Sequence, residues 1–154
     1  MVGGVFLVGV AQIGIVVAGF AGLAASFRDQ ERWSRAEWVY LQTLVVASLA
    51  VVFFSLLPFI PFFLLRDQRF SLQLASATYA VYAVQAFARR LRSLRQARAP
   101  RTAYSNLTLA PLLILSAVVN LPVGSLALYA VTLIAALYFA TVQFRHFVIP
   151  PDKV

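Results

Sequence analysis

The sequence predicts an all-α fold, a polytopic transmembrane helical bundle with five spans. Three observations predict it. Hydrophobic residues make up 62% of the chain and charged residues only 12%, whereas a soluble domain carries about a quarter charged residues. Long stretches lack any charged side chain, and basic residues lie between them. We therefore expect residues 1–154 to form a single integral membrane domain.

The uncharged stretches define the predicted spans. A helix rises about 1.5 Å per residue and the hydrocarbon core is about 30 Å thick, so about 20 residues make one crossing. The stretch over residues 102–144 would be about 65 Å long as one helix, so we divide it into two. The first run exceeds the apolar core of a signal peptide and lacks a basic start, so we keep it as a span. The predicted spans are 3–27, 38–65, 70–89, 103–119 and 125–145.

The division of the last stretch falls at Asn120–Gly124. Pro122 removes a backbone N–H and disfavours helix for Leu121, while Asn120 and Gly124 tolerate turn conformations. We therefore predict a hairpin here and not a kink in one long helix. An alternative has four spans, with residues 70–89 as an interfacial helix, because this run is the least apolar of the five.

The basic residues give an independent test of the span count. With an outer N-terminus and five spans, only Arg66 and Arg69 of the thirteen basic residues fall outside. With a single last span, Arg145 and Lys153 would also move outside, which weakens the asymmetry. We therefore expect an outer N-terminus and a cytoplasmic C-terminus.

Two segments resemble a group of bacterial proteins. The segment "GFAGLAASFR" (19–28), a link that carries tryptophan, and then "FFSLLPF" (53–59) resemble short, functionally uncharacterised multi-span proteins of bacteria. The resemblance covers about the first two spans. It implies an inner-membrane location and says nothing about activity.

Small residues recur every fourth position along the first span, at Gly14, Ala18, Gly22 and Ser26. Such a stripe lets a second helix backbone approach closely. We predict a helix-packing seam there. Its partner is either a second copy of the chain or another helix of the same bundle.

Polar residues form a stripe on each of two spans. The third span carries Thr78, Tyr82 and Gln85, and the fifth carries Tyr129 and Thr132. Polar groups that face lipid lose hydrogen bonds, so we expect both stripes to point into the bundle. They would either hydrogen-bond between helices or line a path for water, an ion or a small neutral solute.

An arginine-rich segment follows the third span and contains no acidic residue. We expect it to contact anionic lipids at the cytoplasmic face. An acidic protein is the alternative partner, and nucleic acid is not expected, because arginines at a membrane face usually set topology. Its basic residues are Arg89, Arg90, Arg92, Arg95, Arg98 and Arg101.

Reactive side chains are sparse. The chain has no cysteine, its one histidine is His146, and no acidic or basic residue falls within a predicted span core. We therefore expect no catalytic residue, no metal site and no cofactor, and we disfavour ion-coupled carriers. The predicted function is a non-enzymatic membrane protein that acts by assembling with itself or with a partner complex. The alternative is a small oligomeric channel or facilitator.

Overall fold

The computed structural model describes residues 1–27, 35–96 and 109–148. Within these ranges the chain is all-helical, without strands, which confirms the predicted helical bundle. The six helices are α1 (Gly4–Ser26), α2 (Arg35–Leu56), α3 (Phe59–Leu65), α4 (Gln68–Gln96), α5 (Leu109–Val123) and α6 (Leu126–Val148).

The chain divides into two compact units, and each is described by itself. The first unit comprises Met1–Val2 and Leu57–Ala135, and so contains α3, α4, α5 and the first part of α6. The second unit comprises Gly3–Leu56 and Ala136–Val154, and so contains α1, α2 and the rest of α6.

Three helical segments are long and apolar enough to cross a membrane. They are Gly4–Ser26, Trp38–Leu65 and Leu126–Arg145. Only 28 to 33% of each is buried within the chain, so most of their apolar surface needs lipid or protein around it. This marks the chain as a membrane protein. The α4 helix does not reach this apolarity and α5 is shorter, so crossings by these two helices stay predictions.

The long second span is interrupted where its prolines begin. Helix α2 ends at Leu56 and α3 begins at Phe59, with Pro58 as its N-cap residue. Pro58 cannot donate the hydrogen bond that a continuous helix would need at this point. Pro61 falls in the first turn of α3, where an N–H has no partner within the helix, so it costs little.

The predicted hairpin between residues 102 and 144 is present, but its first helix ends later than expected. Helix α5 continues through Asn120 and Pro122 to Val123, four residues beyond the predicted end. The chain turns at Gly124, whose φ of 62° lies in the left-handed region. The Gly124 N–H still donates to the Asn120 carbonyl (2.8 Å), which keeps the last turn helical despite the proline.

In the second unit α1 packs closely on α2. Gly14 is buried, and a Cβ built there would lie 2.9 Å from the Val52 Cγ2 and 3.1 Å from the Ser48 carbonyl oxygen. Glycine is therefore needed for the two backbones to approach this closely. Further along, Ala21 packs with Leu41 and Leu44 in an apolar core cluster that also includes Ala140 of α6.

Candidate functional site

Most of the described hydrogen bonds between helices lie in the first unit, beginning at the link between α3 and α4. Arg66 ends α3 in the left-handed conformation (φ 57°), and its N–H donates to the Phe62 carbonyl (2.9 Å). Asp67 then caps α4, because its Oδ1 accepts from the Phe70 N–H (3.1 Å). A carboxylate is favourable at this helix end, where backbone N–H groups lack partners. The link thus fixes the direction of α4.

The start of α4 holds the end of α5. The Arg69 guanidinium donates to the Pro122 carbonyl (2.9 Å), and the Gln73 amide lies at hydrogen-bond distance from the same oxygen (3.4 Å). A cation is stabilising at a helix C-terminus, where carbonyls lack partners. Gly124 completes this contact, because a Cβ there would lie 2.6 Å from Arg69 Cγ and 2.9 Å from the Arg69 carbonyl oxygen.

Asn120 joins three helices through one buried side chain. Its Nδ2 donates to the Ser76 Oγ of α4 (2.9 Å), and its Oδ1 accepts from the Ser125 N–H at the start of α6 (2.7 Å). The residue is fully buried. Because the Nδ2 and the Oδ1 of Asn120 both have hydrogen-bond partners, burying this side chain costs little free energy. The same two bonds fix the α5–α6 turn against α4. The sequence had indicated Asn120 only as a turn former.

Gln68 binds the chain next to α1 through backbone atoms alone. Its Oε1 accepts from the Val2 N–H (2.9 Å) and its Nε2 donates to the Val2 carbonyl (3.2 Å). The Val2 side chain is 79% exposed and takes no part in this contact. Val2, the α3–α4 link and the α5–α6 turn therefore meet at one end of the first unit.

A second polar contact lies further along α5 and α6. Thr132 donates to the Ser116 Oγ (3.0 Å), and Ser116 donates to the Leu113 carbonyl one turn earlier (3.0 Å). Thr132 and Tyr129 are each only 1% exposed. We call the side chains of Arg69, Ser76, Asn120, Ser116 and Thr132 the polar cluster. Its hydrogen bonds run from helix to helix, so it is suited to hold α4, α5 and α6 together.

The predicted interior stripe is only partly buried. On α6 the stripe residues Tyr129 and Thr132 are buried, whereas on α4 Thr78 and Gln85 are exposed and Tyr82 is half-buried. The expectation that the α4 stripe points into the bundle is therefore wrong for Thr78 and Gln85 in the single chain. Thr78 satisfies its hydroxyl by donating to the Leu74 carbonyl in its own helix (2.8 Å). The buried positions of α4 are Ser71, Leu72, Ala75, Ser76, Tyr79 and Ala80.

The predicted small-residue seam on α1 does not lie on one buried face. Gly14 packs against α2 and Ala18 is half-buried, but Gly22 and Ser26 are exposed. No described atom lies within 4 Å of a Cβ built on Gly22. An α-helix turns about 100° per residue, so positions four apart advance by about 40° and drift around the helix. The stripe therefore starts on the α2 contact and ends away from it.

The arginine-rich segment begins within α4. Arg89 and Arg92 are exposed and Arg90 is half-buried, and Arg95 belongs to the last turn of the helix by its backbone. Arg98 and Arg101 lie outside the described residues. Helix α4 continues beyond the apolar run into this basic segment, as far as Gln96.

Groups suited to chemistry do not gather in the described part of the chain. No three His, Cys, Asp or Glu side chains come together there as a metal site would need. Ser48, Ser55 and Gln143 have buried oxygens that accept or donate no hydrogen bond within the same part of the structure. Comparisons with protein-family models, with curated proteins and with solved structures find no match for this chain.

Proposed function

We propose that the chain is a non-enzymatic integral membrane protein that acts by assembling with itself in the bilayer. The observation that carries this proposal is that the chain has few reactive side chains and leaves most of the surface of its apolar spans exposed. Its reactive side chains are few, whereas about two thirds of each apolar span is left uncovered. Helices with so much free surface associate readily where close packing and hydrogen bonds are available. A different membrane protein is the alternative partner.

The arrangement of the first unit supports a five-span topology. Val2, the α3–α4 link and the α5–α6 turn lie at one end. A chain that crosses the membrane once with α1, once with α2 and α3, and once each with α4, α5 and α6 returns to the same side at these three places. That side is the outer one by the distribution of arginines.

The proposed location is the bacterial inner membrane, with the arginine-rich segment on the cytoplasmic face. Arg89 and Arg92 are exposed at the end of α4 opposite to Arg69, where anionic headgroups would attract each of them by about 1 kcal/mol. The anionic leaflet is thus a second proposed partner.

Subunit counting tests the assembly proposal. Fluorescently labelled full-length protein in liposomes of zwitterionic and anionic phospholipids, at high dilution, should bleach in more than one step per particle. The control is the same protein in excess detergent, which should separate the copies. Single-step bleaching throughout, together with no membrane protein cross-linked to the chain in native membranes, would contradict the proposal.

A small oligomeric channel or facilitator is the second candidate. It is favoured by Thr78 and Gln85, two polar side chains seven residues apart on one exposed face of α4. Side chains at that spacing lie about 20° apart around a helix, so several copies of α4 would present them to a common centre.

Flux measurements separate this candidate from simple assembly. Reconstituted protein should accelerate the passage of an ion or a small neutral solute such as glycerol, and Gln85→Leu should reduce the rate. The matched control is Val84→Leu, because Val84 is exposed one position away on a different side of α4. Liposomes that stay impermeable to all solutes would remove the channel candidate and leave the assembly proposal intact.

A further inference from the structure

One exposed side of α4 is polar along the second half of the helix. Its members follow one another at three or four residues, so they lie within about 80° of one another around the helix axis. Four of them are exposed, and Tyr82 is half-buried. We call this side the α4 polar face, and its members are Thr78, Tyr82, Gln85, Arg89 and Arg92.

Helix α5 gives the depth of this face. The hydrogen bond between Ser76 and Asn120 sets a common level for α4 and α5, which run in opposite directions. From that level Gln85 lies about 14 Å along α4, and Leu112 lies about 12 Å in the same direction along α5. The two helices can therefore be compared at equal depth.

Over this depth the large exposed residues of α5 are all apolar. They are 45 to 61% exposed, and they are Leu112, Leu115, Val118 and Val119. Such side chains belong among lipid tails, whereas α4 exposes Thr78 and Gln85 at the same depth. Polar side chains in these surroundings draw water and headgroups toward them and thin the bilayer locally.

The end of the α4 polar face that carries the arginines is cationic and has no acidic neighbour on its own unit's helices. Helices α4, α5 and α6 contain no aspartate or glutamate over their described lengths. A guanidinium binds a phosphate group through two parallel hydrogen bonds, and in a bilayer the phosphates at hand are those of the lipid headgroups. Arg89 and Arg92 are thus suited to bind a phospholipid headgroup.

The α4 polar face is long enough to guide a headgroup across most of the hydrocarbon. It extends about 21 Å from Thr78 to Arg92, against a core about 30 Å thick. At its other end Thr78 lies about 9 Å from the level of Gly124 in the α5–α6 turn. Leu74, which is 46% exposed, occupies this remaining part, and local thinning of the bilayer shortens it.

We infer that the α4 polar face is a path along which phospholipid headgroups pass between the two leaflets while their acyl chains stay in the hydrocarbon. Arg89 and Arg92 bind the phosphate at the cytoplasmic end, and the Gln85 amide offers a donor and an acceptor further in. The movement is passive. This inference goes beyond the proposed assembly and rests on the proposed five-span topology, which places α4 across the bilayer.

A leaflet-exchange assay tests the inference. Full-length protein is reconstituted into vesicles of phosphatidylcholine and phosphatidylglycerol with a trace of lipid that carries NBD on its headgroup. External dithionite bleaches only the outer leaflet of protein-free vesicles, whereas headgroup exchange should also remove the inner-leaflet signal. A water-soluble NBD sugar trapped in matched vesicles should keep its signal, because dithionite does not enter.

Substitution of the amide tests the path itself. Gln85→Leu should slow the exchange about fivefold to thirtyfold, since one polar partner for a headgroup in hydrocarbon is lost. Gln85→Asn keeps an amide and should retain most of the rate. The matched control is Val84→Leu, because Val84 is exposed on a different side of α4.

Substitution of an arginine tests the phosphate contact. Arg89→Gln should slow the exchange of labelled phosphatidylglycerol about fivefold, which corresponds to the attraction of one arginine for an anionic headgroup. Arg145→Gln is the control, because Arg145 is an exposed arginine near the end of α6 and is not part of the α4 polar face.

The outcomes of the exchange assay separate the candidates. Loss of the lipid signal with the trapped sugar preserved, slowed by Gln85→Leu and not by Val84→Leu, supports the inference. Loss of both signals would overturn it in favour of the channel. A lasting inner-leaflet signal, or equal rates in Gln85→Leu and Val84→Leu, would overturn it and leave the assembly proposal in place.

The topology is tested separately, because the native chain contains no cysteine. Val2, which is bonded to Gln68 at the start of α4, is 79% exposed, and Arg92 is exposed toward its end. Val2→Cys and Arg92→Cys should react with an impermeant maleimide from opposite sides of the membrane. Reaction from the same side would overturn the crossing by α4 and the inference with it.

Discussion

The contact between α1 and α2 differs in kind from the contact between α4 and α5. The first is built on close approach at Gly14, and the buried Ser48 hydroxyl makes no hydrogen bond to another described residue. The second is built on side-chain hydrogen bonds from Arg69 and Asn120. In lipid, where no hydrophobic effect drives helices together, these are the two available sources of stability. The chain uses a different one in each unit.

The largest expected effect concerns the turn in the hydrogen-bonded unit. Gly124→Ala forces an L residue into the left-handed region and brings its Cβ within 2.6 Å of Arg69. We expect a loss of about 2–4 kcal/mol in the free energy of unfolding, from backbone strain and overpacking together. Unfolding in mixed detergent and SDS micelles measures it. Gly22→Ala should leave the midpoint almost unchanged, and equal losses in the two variants would contradict the assignment.

The next effect concerns the close-packed unit. Gly14→Leu should cost about 1–3 kcal/mol, because the Ser48 backbone and the Val52 side chain already occupy the space that it would fill. The same unfolding assay applies, with Gly9→Leu as the control on the same helix. If Gly14→Leu proved neutral, the α1–α2 contact would not be as close as described.

A smaller effect should follow from removing the buried amide. Asn120→Leu keeps a similar volume but removes the hydrogen bonds to Ser76 and to the Ser125 N–H. We expect a loss of about 1–2 kcal/mol, from two contacts of about 0.6 kcal/mol each. Asn120→Asp, which keeps the acceptor for Ser125, should recover part of the stability at a pH where the carboxyl is neutral.

The smallest expected effects come from removing one side-chain hydroxyl in each unit. Thr132→Val removes the bond to Ser116 and should cost about 0.6 kcal/mol. Ser48→Ala removes a buried hydroxyl without a partner in the described structure and should be neutral or slightly stabilising. Equal losses in the two variants would remove the distinction between the units.

The helices themselves could be predicted from charge and proline positions. The uncharged run before Arg28 predicts α1, and Pro58 lies at the interruption between α2 and α3. Helix α5 ends four residues beyond the predicted end at residue 119, because the Gly124 and Arg69 contacts hold its last turn despite Pro122. Tertiary contacts of that kind leave no pattern in the local sequence.

It was harder to predict which residues of each helix are buried. The polarity of Thr78 and Gln85 predicts that they lie inside the bundle, whereas in the structure Ser76 and Tyr79 are buried in that region. A hydroxyl that bonds within its own helix, as Thr78 does, needs no interior partner. The side of α1 that meets α2 could not be predicted either, because nothing in the local sequence indicates it.

The two hydrogen bonds between the Gln68 side chain and the Val2 backbone have a consequence for sequence variation. The amide recognises the peptide group through one donor and one acceptor and ignores the side chain, which points outward. Any residue except proline at position 2 would be held equally well, since proline alone lacks the N–H. Substitutions at position 2 should therefore leave this contact intact as long as Gln68 is kept.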